Sequence, residues 1–321
     1  MKDSRKLRIV FFGTPEIAAI ELQHLVETGY NVVGVVTNTD KQQGRGRQVS
    51  RCEVKIKADE LKLKTLQPVS MKDESFINGL KELKADAFVV VAFRMMPEIV
   101  YTMPALGTFN LHTSLLPQYR GAAPINWAVI NGEKQTGITT FLLNDKTDCG
   151  DIILQDKIEI TDNMTAGELY DIMAQKGKKL ITDTLDVLAK GDVKTIKQET
   201  SGILKPAPKI FKQDTYINWE DSVERIRNFI RGLSPYPCAK AVFCDRNTSK
   251  ELEFKVYASE IYNKSVKKSI GTFWIENKTH ILVQCKDGIL ELTDLQLNGK
   301  KRLAASELIK GLRISDCLEK K

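Results

Sequence analysis

The chain has 321 residues, 42% hydrophobic and 28% charged, with three histidines and a formal net charge of +7. That length is a soft prior for two domains of about 100–200 residues each, and the composition is that of an ordinary soluble globular protein. The six cysteines (52, 149, 238, 244, 285 and 317) form no CxxC pair and have no histidine at zinc-finger spacing, which argues against a structural metal and fits reduced cytosolic thiols. The apolar run Ile9–Phe12 is too short for a secretory h-region or a membrane span. The mild basic balance favours a polyanionic partner only weakly.

Leu7–Phe12 reads as a first strand ending at Gly13. Thr14 offers an N-cap, Pro15 suits the first helical turn and Glu16 complements the helix dipole. A helix follows with Ile17, Ile20 and Leu25 on one face, and Gly29 stops it. Asn31–Val36 is the second strand, and this β-α-β opening predicts a doubly wound parallel sheet. A dinucleotide site is disfavoured, because Gly13 stands alone where close pyrophosphate approach needs a set of glycines. Thr37–Arg51 has no apolar periodicity and carries Lys41, Gly44, Arg45, Gly46, Arg47 and Arg51. It reads as a basic, flexible loop ahead of a helix beginning near Glu53. It is either a solvated loop or a nucleic-acid contact whose cations follow phosphates.

Ala87–Phe93 is a near-continuous apolar run, as in a central parallel strand buried on both faces. Ligands of open α/β sheets bind outside the carboxyl ends of strands, so Phe93, Arg94, Met95 and Met96 should line a crevice. Strand Thr108–His112 ends at the same crevice. Strand Thr136–Leu143, the polar loop Asn144–Asp151 and strand Ile152–Ile160 follow. A helix over Thr165–Lys190 carries a core stripe of leucine, isoleucine and methionine. Near Gln198 the composition changes. Gly202, Pro206 and Pro208 with Lys205, Lys209 and Lys212 make a basic linker over 201–212, dividing a domain at 1–200 from one at 213–321. Beyond it, Val223, Ile226, Phe229, Ile230 and Leu233 mark a helix. Five short segments, Ala241–Phe243, Leu252–Ile261, Gly271–Glu276, His280–Cys285 and Ile289–Leu297, predict a small β-barrel of the OB type. Ala304–Leu312 closes the chain as a short helix.

The most informative stretch runs from Phe109 to Pro117, followed downstream by Thr147-Asp148-Cys149-Gly150-Asp151. Side chains alternate along a strand, so Asn110 and His112 point to the same side. An amide donor beside an imidazole suits stabilisation of an oxyanion coupled to proton transfer. A carboxylate such as Asp148, if folded alongside, would hold the imidazole and favour its charged form. Taken alone, Asp148 reads as a turn residue.

Asn, His and Asp used this way resemble the folate-dependent formyltransferase family, and nearly the whole chain resembles its branch that acts on methionyl-tRNA. The landmarks are FGTPE at 12–16, GRGR at 44–47, LQP at 66–68, NLHTSLLPQYRGAAPINWAV at 110–129, TDCGD at 147–151, IRGLSPYP at 230–237 and LQLNGKKR at 295–302. The resemblance implies an α/β, Rossmann-like catalytic domain and a C-terminal OB-like barrel domain that binds tRNA. It implies transfer of a formyl group from 10-formyltetrahydrofolate to the amino group of methionyl initiator tRNA, with no metal. Asn110, His112 and Asp148 match the catalytic trio, and Ser114, Leu115, Leu116 and Pro117 match a folate-contacting segment. Lys41, Arg45 and Arg47 match an insertion that approaches the acceptor stem. Lys205, Lys209 and Lys212 match the basic linker that helps hold the tRNA body.

Arg94-Met95-Met96 departs from the small, glycine-containing segment common in tRNA formyltransferases. It is similar to the Arg-containing strand end that contacts the pterin in glycinamide ribonucleotide formyltransferases, so Phe93, Arg94 and Met95 are expected at the folate. Cys149 stands where the family more often has Thr, and an amine acceptor needs no nucleophilic thiol. A sugar-nucleotide N-formyltransferase is the nearest rival, and the basic loop and linker argue for tRNA instead. A non-catalytic RNA-binding barrel leaves Asn110 and His112 without a use. The expected state is a cytoplasmic monomer.

Overall fold

The computed structural model describes residues 3–43, 48–191, 193–199, 201–245, 250–263, 267–311 and 317–320. The chain divides into two units that are not contiguous in sequence. The sheet unit comprises Met1–Gly121, Thr136–Ile158 and Asp171–Pro206. The barrel unit comprises Ala122–Gln135, Glu159–Tyr170 and Ala207–Lys321.

The sheet unit opens with β1 (Ile9–Gly13), α1 (Glu16–Glu27) and β2 (Val32–Val36). β3 (Lys41–Gln43) and β4 (Gln48–Ser50) then pair antiparallel, Lys41 opposite Ser50. The segment read from sequence as a loop therefore contains two short paired strands; backbone pairing of this kind needs no apolar face. α2 (Glu53–Glu60), β5 (Thr65–Leu66), α3 (Glu74–Glu82), β6 (Ala87–Val91), α4 (Glu98–Tyr101) and β7 (Thr108–His112) follow. After α5 (Pro124–Ile130) come β8 (Gln135–Leu142), β9 (Ile152–Glu159) and α6 (Ala166–Lys190). The sheet order is β5-β2-β1-β6-β7-β8-β9. Strands β5 to β7 run parallel, but β8 pairs antiparallel to β7. The expected all-parallel sheet is thus mixed.

β1 and β6 are buried throughout, which is why they read as unbroken apolar runs. β6 stops at Val91, short of the expected Phe93, because Ala92 turns into the left-handed region at φ 46°. Gly13 lets α1 lie close on β1: a Cβ there would meet the Ala18 Cβ at 2.6 Å. Its role is helix–strand packing. α1 turns Ile17, Ala18, Leu22 and Leu25 inward, with Ile20 only half-buried.

Glu21 is buried on that same face, and neither carboxylate oxygen has a hydrogen-bond partner among the described residues. A Cβ on Gly177 of α6 would stand 2.4 Å from Glu21 Oε1, so the glycine makes room for the carboxyl. Burial pushes this carboxyl up to about 9, against a smaller downward pull from Lys178.

In the barrel unit α5 packs beside α7 (Val223–Leu233), where Asn126 Nδ2 donates to the Gly232 carbonyl at 2.8 Å. Its strands are β10 (Ala239–Asp245), β11 (Lys250–Tyr262), β12 (Phe273–Glu276), β13 (His280–Gln284), β14 (Ile289–Leu297), β15 (Arg302–Ala304) and, after α8 (Ala305–Gly311), β16 (Cys317–Lys320). The antiparallel pairings run β10–β11–β14–β13–β12–β16 and back to β10, which closes a ring. This is the expected OB-like barrel, with β16 as a closing strand that sequence patterning did not reveal. Phe243, Phe254, Phe273 and Trp219 fill its core. Among the described residues no helix is long and apolar enough to cross a membrane.

Candidate active site

The carboxyl ends of β6 and β7 and the loop between β8 and β9 enclose a cavity of about 120 Å³. Asn110 and Asp148 form part of its wall, with Phe93, Arg94, Met95 and Phe141. A wider trough of about 620 Å³ shares Arg94, Met95 and Met96 with it and extends past Val69 to Lys72. The crevice expected from the strand ends is therefore where Phe93 to Met96 stand.

Strand periodicity puts Asn110 and His112 on one face of β7. Asn110 Oδ1 is buried and has no hydrogen-bond partner among the described residues. A buried polar atom left open beside a cavity is suited to a ligand. His112 is buried just behind the wall. Its Nε2 lies 2.9 Å from the Tyr119 carbonyl oxygen, and its Nδ1 lies 4.0 Å from Asp148 Oδ2. A carbonyl only accepts, so Nε2 carries the hydrogen and the neutral ring keeps its lone pair on Nδ1.

Asp148 sits in a turn at φ 52° and takes the Gly121 N–H on Oδ2 at 3.0 Å. Gly150 follows because nothing larger fits: a Cβ there would be 1.6 Å from the Leu142 carbonyl oxygen. Cys149 Sγ donates to the Thr147 carbonyl at 3.1 Å.

The remaining site residues expected from the sequence take the following positions. Ser114 and Leu116 are buried, and none of Ser114, Leu115, Leu116 and Pro117 forms part of the cavity wall. Ser114 Oγ donates to the Gln118 carbonyl at 2.6 Å, while Leu116 packs against Phe141 and Ile152 and so backs the wall. The Arg94 guanidinium donates to the carbonyls of Pro68 at 2.5 Å and Val69 at 3.1 Å. Lys205, Lys209 and Lys212 are exposed, and Lys209 Nζ stands 5.4 Å over the Phe211 ring. The backbone around them is held: Tyr119 N–H donates to Lys205 O at 2.7 Å and Trp127 Nε1 to Pro208 O at 2.8 Å. Arg45, Arg47 and the side chain of Lys41 lie outside the described residues.

The sequence reading missed Tyr119 and Gly121, although both stand in the same motif as His112. It also missed Arg120, which stands between them in that motif, and Gln198, which carries no recognisable signal. Among the described residues no group of three or more His, Cys, Asp or Glu could hold a metal.

A mixed α/β sheet whose β7 carries an Asn and a His beside an Asp of the β8–β9 loop, with an OB-like barrel in the same chain, defines a formyl transferase. Residues 7–185 match the formyl transferase family model, and residues 209–313 match the model of the formyl transferase C-terminal domain. The methionyl-tRNA formyltransferase of Bacteroides thetaiotaomicron is 47% identical over 313 residues, covering 97% of each chain. That of Flavobacterium johnsoniae is 46% identical over 311 residues, covering 97% of this chain and 98% of its own. The solved structure of an N-formyltransferase from Helicobacter canadensis, in complex with folinic acid and dTDP-3-aminofucose, shares the fold. Its TM-score is 0.62 at 18% identity, covering 89% of this chain and 98% of the other. The chain belongs to the formyl transferase family, in its methionyl-tRNA formyltransferase branch.

Proposed function

We infer that the protein transfers the formyl group of 10-formyltetrahydrofolate to the α-amino group of methionyl initiator tRNA, with Asn110, His112 and Asp148 carrying the chemistry. The observation that carries this reading is the meeting of those three residues beside one cavity. The apolar wall of Phe93, Phe141 and Leu143, with Asn110 at one edge, fits a flat ring system whose reactive group is polar. Phe93, Arg94 and Met95 would hold the folate there. The folate, when bound, supplies an activated formyl group and a nitrogen leaving group.

The neutral amine attacks the formyl carbon, and the Asn110 amide donates to the oxygen as negative charge develops on it. One such donor is worth about 3–4 kcal/mol in a water-poor site. His112 receives the proton of the attacking nitrogen at Nδ1, the ring atom left open by the Nε2–Tyr119 bond. The same nitrogen then passes the proton to the departing folate nitrogen. Asp148, at ion-pair distance from Nδ1, offsets the positive charge while the ring holds the proton. No covalent enzyme intermediate is needed.

The exposed Lys205, Lys209 and Lys212, with Lys41, Arg45 and Arg47, supply phosphate contacts to the tRNA. The protein acts as a monomer in the cytoplasm.

The test is formylation of methionyl initiator tRNA by the purified protein with 10-formyltetrahydrofolate, with His112→Ala as control. Loss of about 10²-fold or more in the variant is expected. Near-normal turnover by folded His112→Ala would sink the assignment. No formylation by the wild type, with folate still bound, would point to another acceptor amine, and amino-sugar nucleotides would be tried next.

A further inference from the structure

We propose that Gln198, gripped by Arg120, is a positioning residue that holds the Asp148 turn against His112; the proposal rests on the catalytic reading of Asp148. Asp148 is a non-glycine residue in the left-handed region, a conformation disfavoured by about 1 kcal/mol, so a turn standing alone would relax out of it. Gly121 N–H steadies its carboxylate. The backbone is steadied by Gln198, whose Nε2 donates to the carbonyl of Asp148 at 3.0 Å and to that of Gly150 at 2.8 Å.

The other end of the same amide is also fully used. Gln198 Oε1 accepts from Arg120 Nε at 3.1 Å and from Arg120 Nη2 at 2.6 Å. The carbonyls demand the NH₂ and the guanidinium demands the oxygen, so only one orientation of the amide satisfies all partners. Glu has no donor for the two carbonyls, Leu offers nothing to either side, and Asn is one methylene shorter.

The strand-like return of the chain after α6 delivers the residue. Ile196 and Ile152 exchange backbone hydrogen bonds of 2.8 and 2.9 Å, which sets Gln198 beside the turn. Arg120, in turn, lies between Tyr119, which fixes the His112 ring, and Gly121, which binds Asp148. One clamp therefore joins the supports of both members of the pair. Neither Arg120 nor Gln198 forms part of the cavity wall, so their effect on the reaction passes through Asp148.

The test is a double-mutant cycle of Gln198→Leu and Asp148→Asn, read in single-turnover assays so that slow backgrounds remain measurable. Gln198→Leu should lower kcat ten- to a hundredfold, the scale expected for a misplacement of about 1 Å, with KM for folate and for tRNA within about twofold of wild type. In the Asp148→Asn background the same change should cost less than about threefold. Gln198→Glu keeps the length and the Arg120 contact but turns an acceptor onto two carbonyls, and should reproduce the result if Gln198→Leu fails to fold.

An unchanged kcat in Gln198→Leu, an equal loss in both backgrounds, or a rise in KM with kcat unchanged would each overturn the clamp while leaving Asp148 as catalyst. Full activity of Asp148→Asn by itself would overturn the catalytic reading and the proposal together.

Discussion

Replacing Glu21 by Gln should change how the stability of the sheet unit depends on pH. The Glu21 carboxyl is buried without hydrogen-bond partners among the described residues and is pushed from 4.5 up to about 9. A group raised in the folded state contributes stability that is fully present below its unfolded value of 4.5 and lost as pH rises through about 9. Within that window the folded state holds one proton that the unfolded state has released, so stability falls by about 1.4 kcal/mol per pH unit. Gln keeps the size and shape and removes the titration. Between about pH 5.5 and 8.5 the unfolding free energy of Glu21→Gln should gain about 4 kcal/mol on the wild type. That is a large part of the total for a typical domain, about 5–15 kcal/mol. Urea titrations followed by far-ultraviolet circular dichroism are the assay. Fluorescence would miss the effect, because Trp127, Trp219 and Trp274 all belong to the barrel unit. A stability difference that stays constant across this range would mean that Glu21 is ionised at neutral pH, and the burial argument would fail.

Gly150→Ala should abolish most turnover and lower the melting temperature, because the new Cβ would sit 1.6 Å from the Leu142 carbonyl and displace the Asp148 turn; a variant with wild-type kcat would show that the turn tolerates the shift. Leu116→Ala should cost about 2–5 kcal/mol in urea unfolding, since Leu116 is buried against Phe141 and Ile152 behind the cavity wall. A loss under about 1 kcal/mol would mean that the wall collapses freely onto the gap. Lys212→Ala should weaken tRNA binding alike for all sequences and reduce the salt slope of log K by about 1, measured by filter binding over a salt series. An unchanged slope would remove Lys212 from the phosphate contacts.

The sequence by itself determined the elements whose burial is one-sided or complete. β1 and β6 are buried throughout and read as continuous apolar runs, and α7 places Ile226, Ile230 and Leu233 inward at helical spacing. Asn110 and His112 were legible as neighbours because a strand returns to the same face every second residue. Local patterning does not reach further than that. β16 is short, and only closure of the ring assigns it a partner. Glu21 is a charged residue on an amphipathic helix, and its burial depends on Gly177 of a distant helix standing over it. Leu116 is held inward by Thr139 and Gln155 of distant strands, which bond its backbone N–H and carbonyl. The approach of Asp148 to His112, and of Gln198 to both turns, joins residues far apart in the chain. Tertiary structure alone decided these contacts, because hydrogen bonding and desolvation depend on which atoms meet in space and leave no period in the sequence.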